Sequence, residues 1–344
     1  GDPGMENKVV RAIRNISSAE GKNIILSIHD QGAGGMANVT KEIVSPVGGE
    51  VFLNKVNIGD KSLSSLEIWG AEYQEQVTIL IDEKNRDIVK SVCTRENVPV
   101  EFVGSVKETG KIEVFDRDNT LIVNLDLDET LNKIPQKEYT FKTVKHEFFK
   151  LEIPEHNFID HIKNIFSLIS VSSKRHLTNK VDRSVSGLIA QQQCIGPLQT
   201  PLSNYAIIAT THHNLTGCAT SIGEQPIKSL INSSNMVNMT VGEMLTNIIF
   251  AKITCLKDIK CSGNWMWSPK LEGEGSELYS AVKTLSDIFI QLGIAIDGGK
   301  DSMSMHSEIN GKIIKTPRTL VLSAYAPMVD IRKKITPEFK KTGS

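Results

Sequence analysis

No stretch of this 344-residue chain approaches the roughly 18 uninterrupted apolar residues that a membrane span needs, which excludes a transmembrane helix. No signal-peptide pattern precedes Met5, and we expect no secretory route. Neither charge predominates. With 39 Lys and Arg against 40 Asp and Glu the net charge is -1, too weak a field to draw nucleic acid or anionic lipid. Cysteine is sparse. Cys93, Cys194, Cys218, Cys255 and Cys261 are odd in number and form no C-x-x-C pair, which argues against a disulfide framework and for reduced thiols in the cytoplasm. Periodicity gives no clear internal repeat. A true P-loop is also missing, because Ile294 stands where its leading glycine would be and Asp301 replaces its hydroxyl residue. What remains is 40% hydrophobic and 23% charged, a globular composition long enough for two cores.

The organising stretch is 181–204, VDRSVSGLIAQQQCIGPLQTPLSN. Gln191, Gln192 and Gln193 lie among apolar neighbours, and a buried amide is costly unless its donors and acceptors are engaged. The cluster therefore either holds something polar or forms a satisfied network between strands.

In the first part, Met5, Val9, Val10, Ile13 and Ile16 recur at helical spacing until Gly21, and the run 24–28 predicts a buried strand. His29, Asp30 and a glycine-rich turn follow, then a helix over 36–44. Backbone N–H groups at such a turn favour an anion, and Asp30 could hold a bridging cation; the alternative is a plain tight turn with a solvated His29. Strands are predicted over 51–56 and 76–81, with a short helix or turn at 64–69. On an extended backbone Glu72 and Gln74 share one face, suiting the hydroxyls and amides of a sugar-like substrate, unless they only line a polar edge. A helix over 82–96 and strands over 98–106 and 111–125 complete an α/β or α+β unit ending near Lys137.

Residues 136–155 read as a connector, and 156–169 as a helix. Lys174, Arg175, His176 and Lys180 form a basic patch, either a solvated face or a phosphate cradle. A strand over 205–210 precedes a helix over 241–256, in which Glu243 and Asn247 fall on one face. Both can ligate a hard cation through oxygen, although Thr240 and Glu243 also have capping-box spacing. We expect 261–267 to pack, 276–292 to be a helix, a strand from 294 to run into the charged loop 297–305, and 319–326 to be a strand. Lys300 and Ser302 in that loop remain within reach of a ligand on a scaffold other than a P-loop.

Six collinear motifs carry a resemblance: HDQGAGG at 29–35, EIWGAEYQE at 67–75, DRSVSGLIAQQQCIGPLQTPL at 182–202, GEQPIKSL at 223–230, CSGNWMW at 261–267 and DGGKDSMSM at 297–305. Together they resemble phosphoribosylformylglycinamidine synthase in its large glutamine-dependent form, over essentially the whole chain. The resemblance implies an α+β (α/β) fold like that of aminoimidazole ribonucleotide synthetase. It implies a C-terminal-type domain of a first half at 1–137, a connector with the start of a helix at 138–164, and an N-terminal-type domain of a second half at 165–344, truncated at its C-terminal side. In that family ATP phosphorylates the amide oxygen of formylglycinamide ribonucleotide, and ammonia from a glutaminase displaces the phosphate.

The implied ligands are Mg²⁺ and ATP or ADP, and the implied location is cytoplasmic. The family's catalytic histidine, first-half ATP loop and glutaminase cysteine fall outside the matched motifs, so we expect no catalytic residue here and no synthase activity from the segment alone. By resemblance, Asp30, Asn204, Glu243 and Asn247 match metal positions; Glu72, Tyr73, Gln74 and Ser302 substrate positions; and Lys174, Ser203, Gly299 and Lys300 nucleotide positions. One departure stands out. Asn204 occupies a position where the family usually has aspartate, and an uncharged oxygen should hold Mg²⁺-nucleotide more weakly. Two other classes stay open: another ATP-dependent enzyme of the same superfamily, or a non-catalytic nucleotide-holding scaffold.

Overall fold

Asp2 starts the first helix by accepting from the N–H groups of Gly4 and Met5, with Pro3 ready-bent at the first helical position. The computed structural model describes residues 2–343 except 74, 134, 146, 147, 149, 151, 153–156, 174, 179–186 and 200, and except the side chain of residue 20. Two units are separable, Gly1–Glu138 and Tyr139–Ser344.

In the first unit, α1 (Pro3–Ser17) packs against α4 (Arg86–Glu96) and against a two-stranded antiparallel sheet of β1 (Ile25–Asp30) and β3 (Val77–Ile81). Ala12, Ile16, Ile24, Val89 and Val92 form that core. The second core joins α2 (Gly35–Val44) and α3 (Ser65–Gly70) to a four-stranded sheet ordered β4-β2-β5-β6, with β2 Gly49–Phe52, β4 Gly104–Val106, β5 Lys111–Phe115 and β6 Leu121–Asp126. Helix α3 carries a capping box, in which Ser64 and Glu67 satisfy each other's backbone N–H.

Three expected strands differ. The run 51–56 leaves the ladder after Phe52, because 53–55 tightens into a 3-10 turn that buries Leu53. Of 98–106 only Gly104–Val106 pairs, and 111–125 is two strands joined by a turn in which Asn119 has φ 65°.

The second unit is built on a six-stranded sheet ordered β11-β10-β14-β9-β8-β7. The strands are β7 Ile189–Gln191, β8 Tyr205–Ala209, β9 Gly217–Glu224, β10 Lys260–Met266, β11 Ala295–Ser302 and β14 Thr319–Met328; β12 (His306–Ile309) and β13 (Lys312–Lys315) form a separate hairpin. Helices α7 (Ser233–Ile248) and α8 (Glu274–Leu292) belong to its core, with Met236, Met244, Leu285 and Phe289 packed on Ile207, Ala219, Cys261, Leu320 and Leu322. The alternate side chains on β9, β10 and β14 are mostly half-buried, while Ile208 on β8 and Ile222 on β9 are exposed. Short helices α5 (Phe158–Ser167) and α6 (Arg175–Thr178) precede the sheet. Among the described residues no helix is long and apolar enough to cross a membrane.

Here the sequence expectations need three corrections. Helix α7 begins eight residues earlier than expected, where Asn232 accepts from the Asn235 N–H, so Thr240 and Glu243 lie inside the helix and the capping-box alternative fails. The CSGNWMW run packs as expected, with Cys261 and Trp267 buried in the core, and most of it forms strand β10 between β11 and β14. The DGGKDS run is not a loop but the edge strand β11, parallel to β10. Finally, part of the expected connector is docked. The Phe141 ring lies over Gly275, where a Cβ would fall 2.1 Å from a ring carbon, and the Lys142 carbonyl accepts from Ser276 Oγ at 3.2 Å.

The start of α8 also holds a buried charge network. Glu274, 1% exposed, accepts from Arg318 Nε at 2.8 Å and Nη2 at 3.0 Å, and from Lys315 Nζ. Arg318 Nη1 donates to the Ser229 carbonyl at 3.1 Å and lies 3.3 Å from Glu277 Oε2. Strand β14, the hairpin and the start of α8 are thereby tied at one point.

Candidate functional site

Gly223 decides where α7 can lie. A Cβ there would meet the Thr240 carbonyl oxygen at 2.2 Å and the Met244 nitrogen at 2.7 Å, so only glycine lets the helix backbone touch β9. Ser221 Oγ reinforces the contact by donating to the Met244 carbonyl at 2.9 Å. That approach brings Glu243 and Asn247 onto the end of the strand. Glu243 Oε2 accepts from the Glu224 N–H at 2.8 Å and from Gln225 Nε2 at 3.0 Å, while Asn247 Nδ2 donates to the Ile222 carbonyl at 2.9 Å.

Each residue keeps one oxygen in hand. Glu243 Oε1 and Asn247 Oδ1 have no partner among the described residues, and neither is a buried orphan. Asn204 comes to the same end of the sheet, since it precedes Tyr205, whose ladder partner is Ser221, and so stands across from Ile222. Glu243 and Asn247 thus offer one carboxylate oxygen and one amide oxygen a helical turn apart, with Asn204 at the same end of the sheet, and no group of three His, Cys, Asp or Glu suited to a metal occurs among the described residues. Mg²⁺ is commonly held by one or two carboxylates plus substrate phosphates, so this set fits a cation that arrives with a nucleotide.

The other second-unit candidates distribute unevenly. Lys300 shares a row with this end of the sheet, through the ladder pairs Lys300 with Asn264, Asn264 with Val321 and Val321 with Glu224. Three strand spacings separate Lys300 from Glu224, about 14 Å at the usual 4.8 Å each. Lys300 Nζ donates to Ser302 Oγ at 3.3 Å, and Gly299 lies so close to the Gly263 carbonyl that a Cβ would stand 2.0 Å from it. Ser203 turns inward. It is buried, its hydroxyl donates to the Tyr205 carbonyl at 3.1 Å, and its N–H donates to Gln193. Gln191 is buried too, with Nε2 donating to the Gln192 carbonyl at 3.0 Å, so part of the glutamine cluster is satisfied locally. Lys174 and the Asp182-Arg183-Ser184 turn lie outside the described residues.

In the first unit, β1 delivers His29 and Asp30 to the glycine turn. His29, with its side chain 40% exposed, is solvated as the plain-turn alternative expects but is not free of partners. Its Nε2 lies 2.8 Å from Glu42 Oε2, and its Nδ1 lies 2.7 Å from the Asp30 carbonyl. The bond to that carbonyl, with Glu42 and Asp30 close by, holds its pKa above the ordinary histidine value. The Asp30 side chain is 87% exposed beside a shallow depression lined by Ile28, His29 and Val77.

Gly35, at φ 56°, lies so near residue 71 that a Cβ would be 2.1 Å from the Ala71 carbonyl. The turn after Asp30 therefore abuts the segment carrying Glu72 and Tyr73, both exposed. Gln74 lies outside the described residues. Sequence reasoning missed Gln225, Gly223 and Glu42. The first two sit in the GEQ motif that carried part of the resemblance, and Glu42 bore only the signal of its helical spacing from Asn38.

Comparison with known proteins gives two domain matches. Residues 1–117 match the model of the AIR synthase related protein, C-terminal domain, and residues 173–327 match the FGAR-AT PurM_N-like domain. Curated relatives named phosphoribosylformylglycinamidine synthase include one from Dictyostelium discoideum, 46% identical over 99% of this chain and 26% of its own length, and one from Homo sapiens, 43% identical over 99% and 27%. The chain thus spans about a quarter of the length of the curated relatives it matches. Among solved structures, PurLQS from Thermotoga maritima superposes with TM-score 0.74 at 18% identity, covering 98% of this chain and 52% of that one. T. maritima PurL complexed with FGAR gives 0.69 at 17%, covering 98% and 50%. At that identity the likeness establishes an AIR-synthase-like fold.

Proposed function

Because this chain belongs to the phosphoribosylformylglycinamidine synthase family, we propose that it forms part of an enzyme converting formylglycinamide ribonucleotide to the amidine with ATP and glutamine-derived ammonia. Ammonia would come from a glutaminase elsewhere in the full-length protein, in the cytoplasm. The domain division at 1–137, 138–164 and 165–344 belongs to the same reading. The single observation that carries it is the pair of Glu243 and Asn247, each anchored on the end of β9 through one polar atom and with an oxygen to spare.

In this reading Glu243 and Asn247, fixed to the strand by their other polar atoms, hold a Mg²⁺-bound ADP or ATP with help from Asn204. Lys300 and Gly299 on the edge strand would approach its phosphates, and Ser302 the substrate. Asp30 would hold Mg²⁺ in the first unit, where Glu72 and Tyr73, with Gln74, orient the ribotide through hydroxyl and carboxylate bonds. Mg²⁺ neutralises phosphate charge and bridges phosphate oxygens to the protein when bound. The solved relatives titled as complexes with ATP, ADP and FGAR support these ligand classes.

Calorimetric titration of the full-length protein with Mg²⁺-ADP tests the reading. Asn204→Asp adds a formal charge next to Ile222 and should tighten binding, while Glu243→Gln should weaken it by about tenfold. Unchanged affinity in both variants would remove the nucleotide from this end of the sheet.

A further inference from the structure

We infer that Tyr325, on β14, is a positioning residue that aims Lys300 at the open face of the sheet by holding Asp297 out of the ladder between β10 and β11. The inference rests on the reading that Lys300 approaches the phosphates of a nucleotide. Strand β11 is fixed at both ends. Ile296 pairs with Cys261 at one, and Ser302 pairs with Met266 at the other, where the Trp267 N–H also donates to the Ser302 carbonyl at 2.9 Å. Between those pairs residues 297–301 outnumber 262–265 by one, so one residue must bulge, and Asp297 is the one left without a partner in the ladder.

The place of the bulge sets which way Lys300 points. Successive strand side chains alternate between faces, so an extra residue reverses the phase of those that follow it. Taken up before Lys300, it leaves Lys300 opposite Asn264, on the face away from the helices, where Lys300 Nζ donates to Ser302 Oγ at 3.3 Å. Taken up at Asp301, it would leave Lys300 opposite Trp265, which packs against the helix-covered core. The ladder itself is indifferent to the choice. Gly299 lies so close to the Gly263 carbonyl that a Cβ would be 2.0 Å from it, but Gly298, one place back, would fit the same gap. Residues 298–301 are all exposed and none is apolar, so burial does not choose either. What marks out Asp297 is its bond across β10, in which Tyr325 Oη donates to Asp297 Oδ2. Lys260 stands between the two strands, paired with Tyr325, but its Nζ donates to the Lys257 carbonyl at 3.3 Å. A late bulge would put Asp297 opposite Ser262, further along the strand from Tyr325, and weaken a charge-assisted bond.

The test is calorimetric titration of the full-length protein with Mg²⁺-ADP, with melting curves on the same samples to separate loss of fold from loss of aim. Lys300→Ala sets the scale by weakening binding. Tyr325→Phe should weaken it by about tenfold, because apparent affinity falls with the fraction of molecules whose lysine is correctly phased. Deleting Asp297 keeps every observed pair of β10 and β11 and removes the residue that needs holding. The deletion should therefore bind within about threefold of the parent, and adding Tyr325→Phe to it should change nothing further. A tyrosine that merely stabilised the sheet would weaken the deletion protein as well. Should the deletion fail to fold, Asp297→Asn, which keeps an acceptor for the hydroxyl, must bind better than Asp297→Ala, and equal affinities overturn the inference. Parent-like binding by Tyr325→Phe alongside a weakened Lys300→Ala, or the same loss from Tyr325→Phe with and without Asp297, overturns the inference and spares the nucleotide reading. Parent-like binding by Lys300→Ala overturns both.

Discussion

Arg318 and Glu274 are two charges that water cannot reach, 7% and 1% exposed, and each is tolerable only because the other is present. Removing one strands its partner, so Arg318→Ala should destabilise the second unit by about 3–5 kcal/mol in urea unfolding. The pair also sets an acid limit. Burial pushes the Glu274 pKa up, but its bonds from Arg318 and Lys315 outweigh that and hold it below the ordinary carboxylate value. A depressed folded pKa means that the stabilisation is present above the unfolded pKa and fades as pH falls through the folded one. Glu274→Gln should therefore be less stable at neutral pH, with a deficit that narrows below about pH 4.5. None of this network was readable beforehand, for its members stand 44 positions apart and local periodicity carries no such pairing. Glu243 and Asn247 were readable, because i,i+4 spacing alone puts them on one face. The start of their helix was not, since Asn232 reads equally well as a loop residue.

At the level of elements, glycine misled most. In β9 the face toward α7 carries Ser221 and Gly223, small residues that the approach of the helix demands rather than residues with high strand propensity. In β11 the polar run Asp297-Gly298-Gly299-Lys300 looked like a loop, yet the backbone is paired along β10. The strand at 25–30 and the helix after it were legible from β-branched residues and a glycine turn, but the burial expected of the run 24–28 holds only for Ile24, since Leu26 is 65% and Ile28 46% exposed in a sheet of only two strands. The docked part of the connector offers a direct check. Phe141 covers Gly275 and Val144 covers Gly273, so the segment is tethered by side-chain contacts rather than by a ladder. Phe141→Ala should speed proteolytic cleavage within 139–145 severalfold while far-ultraviolet circular dichroism stays unchanged. Equal cleavage rates would show that the ring contributes nothing to the docking.

For the whole molecule, the second unit covers one set of strand side chains with helices and leaves the alternate set mostly half-buried, with Ile222 at 55% and Ile208 at 37% exposure. Helix α5 adds Phe158, Ile165 and Phe166, all exposed. Apolar area of this kind promotes association, so the 344-residue chain studied alone should form concentration-dependent oligomers in light scattering, and Ile222→Lys should reduce them. A monodisperse monomer at high concentration would refute this. The order of strands also has a temporal consequence. Strand β11 joins the sheet parallel to β10 only after the chain has passed through all of α8, and among the described residues no strand pairs with its other side. Closing that long excursion makes β11 a late arrival in folding and an early departure in local opening. Its amides should exchange with deuterium well before those of β14, so Lys300 would sit on the least persistent rung of the ladder.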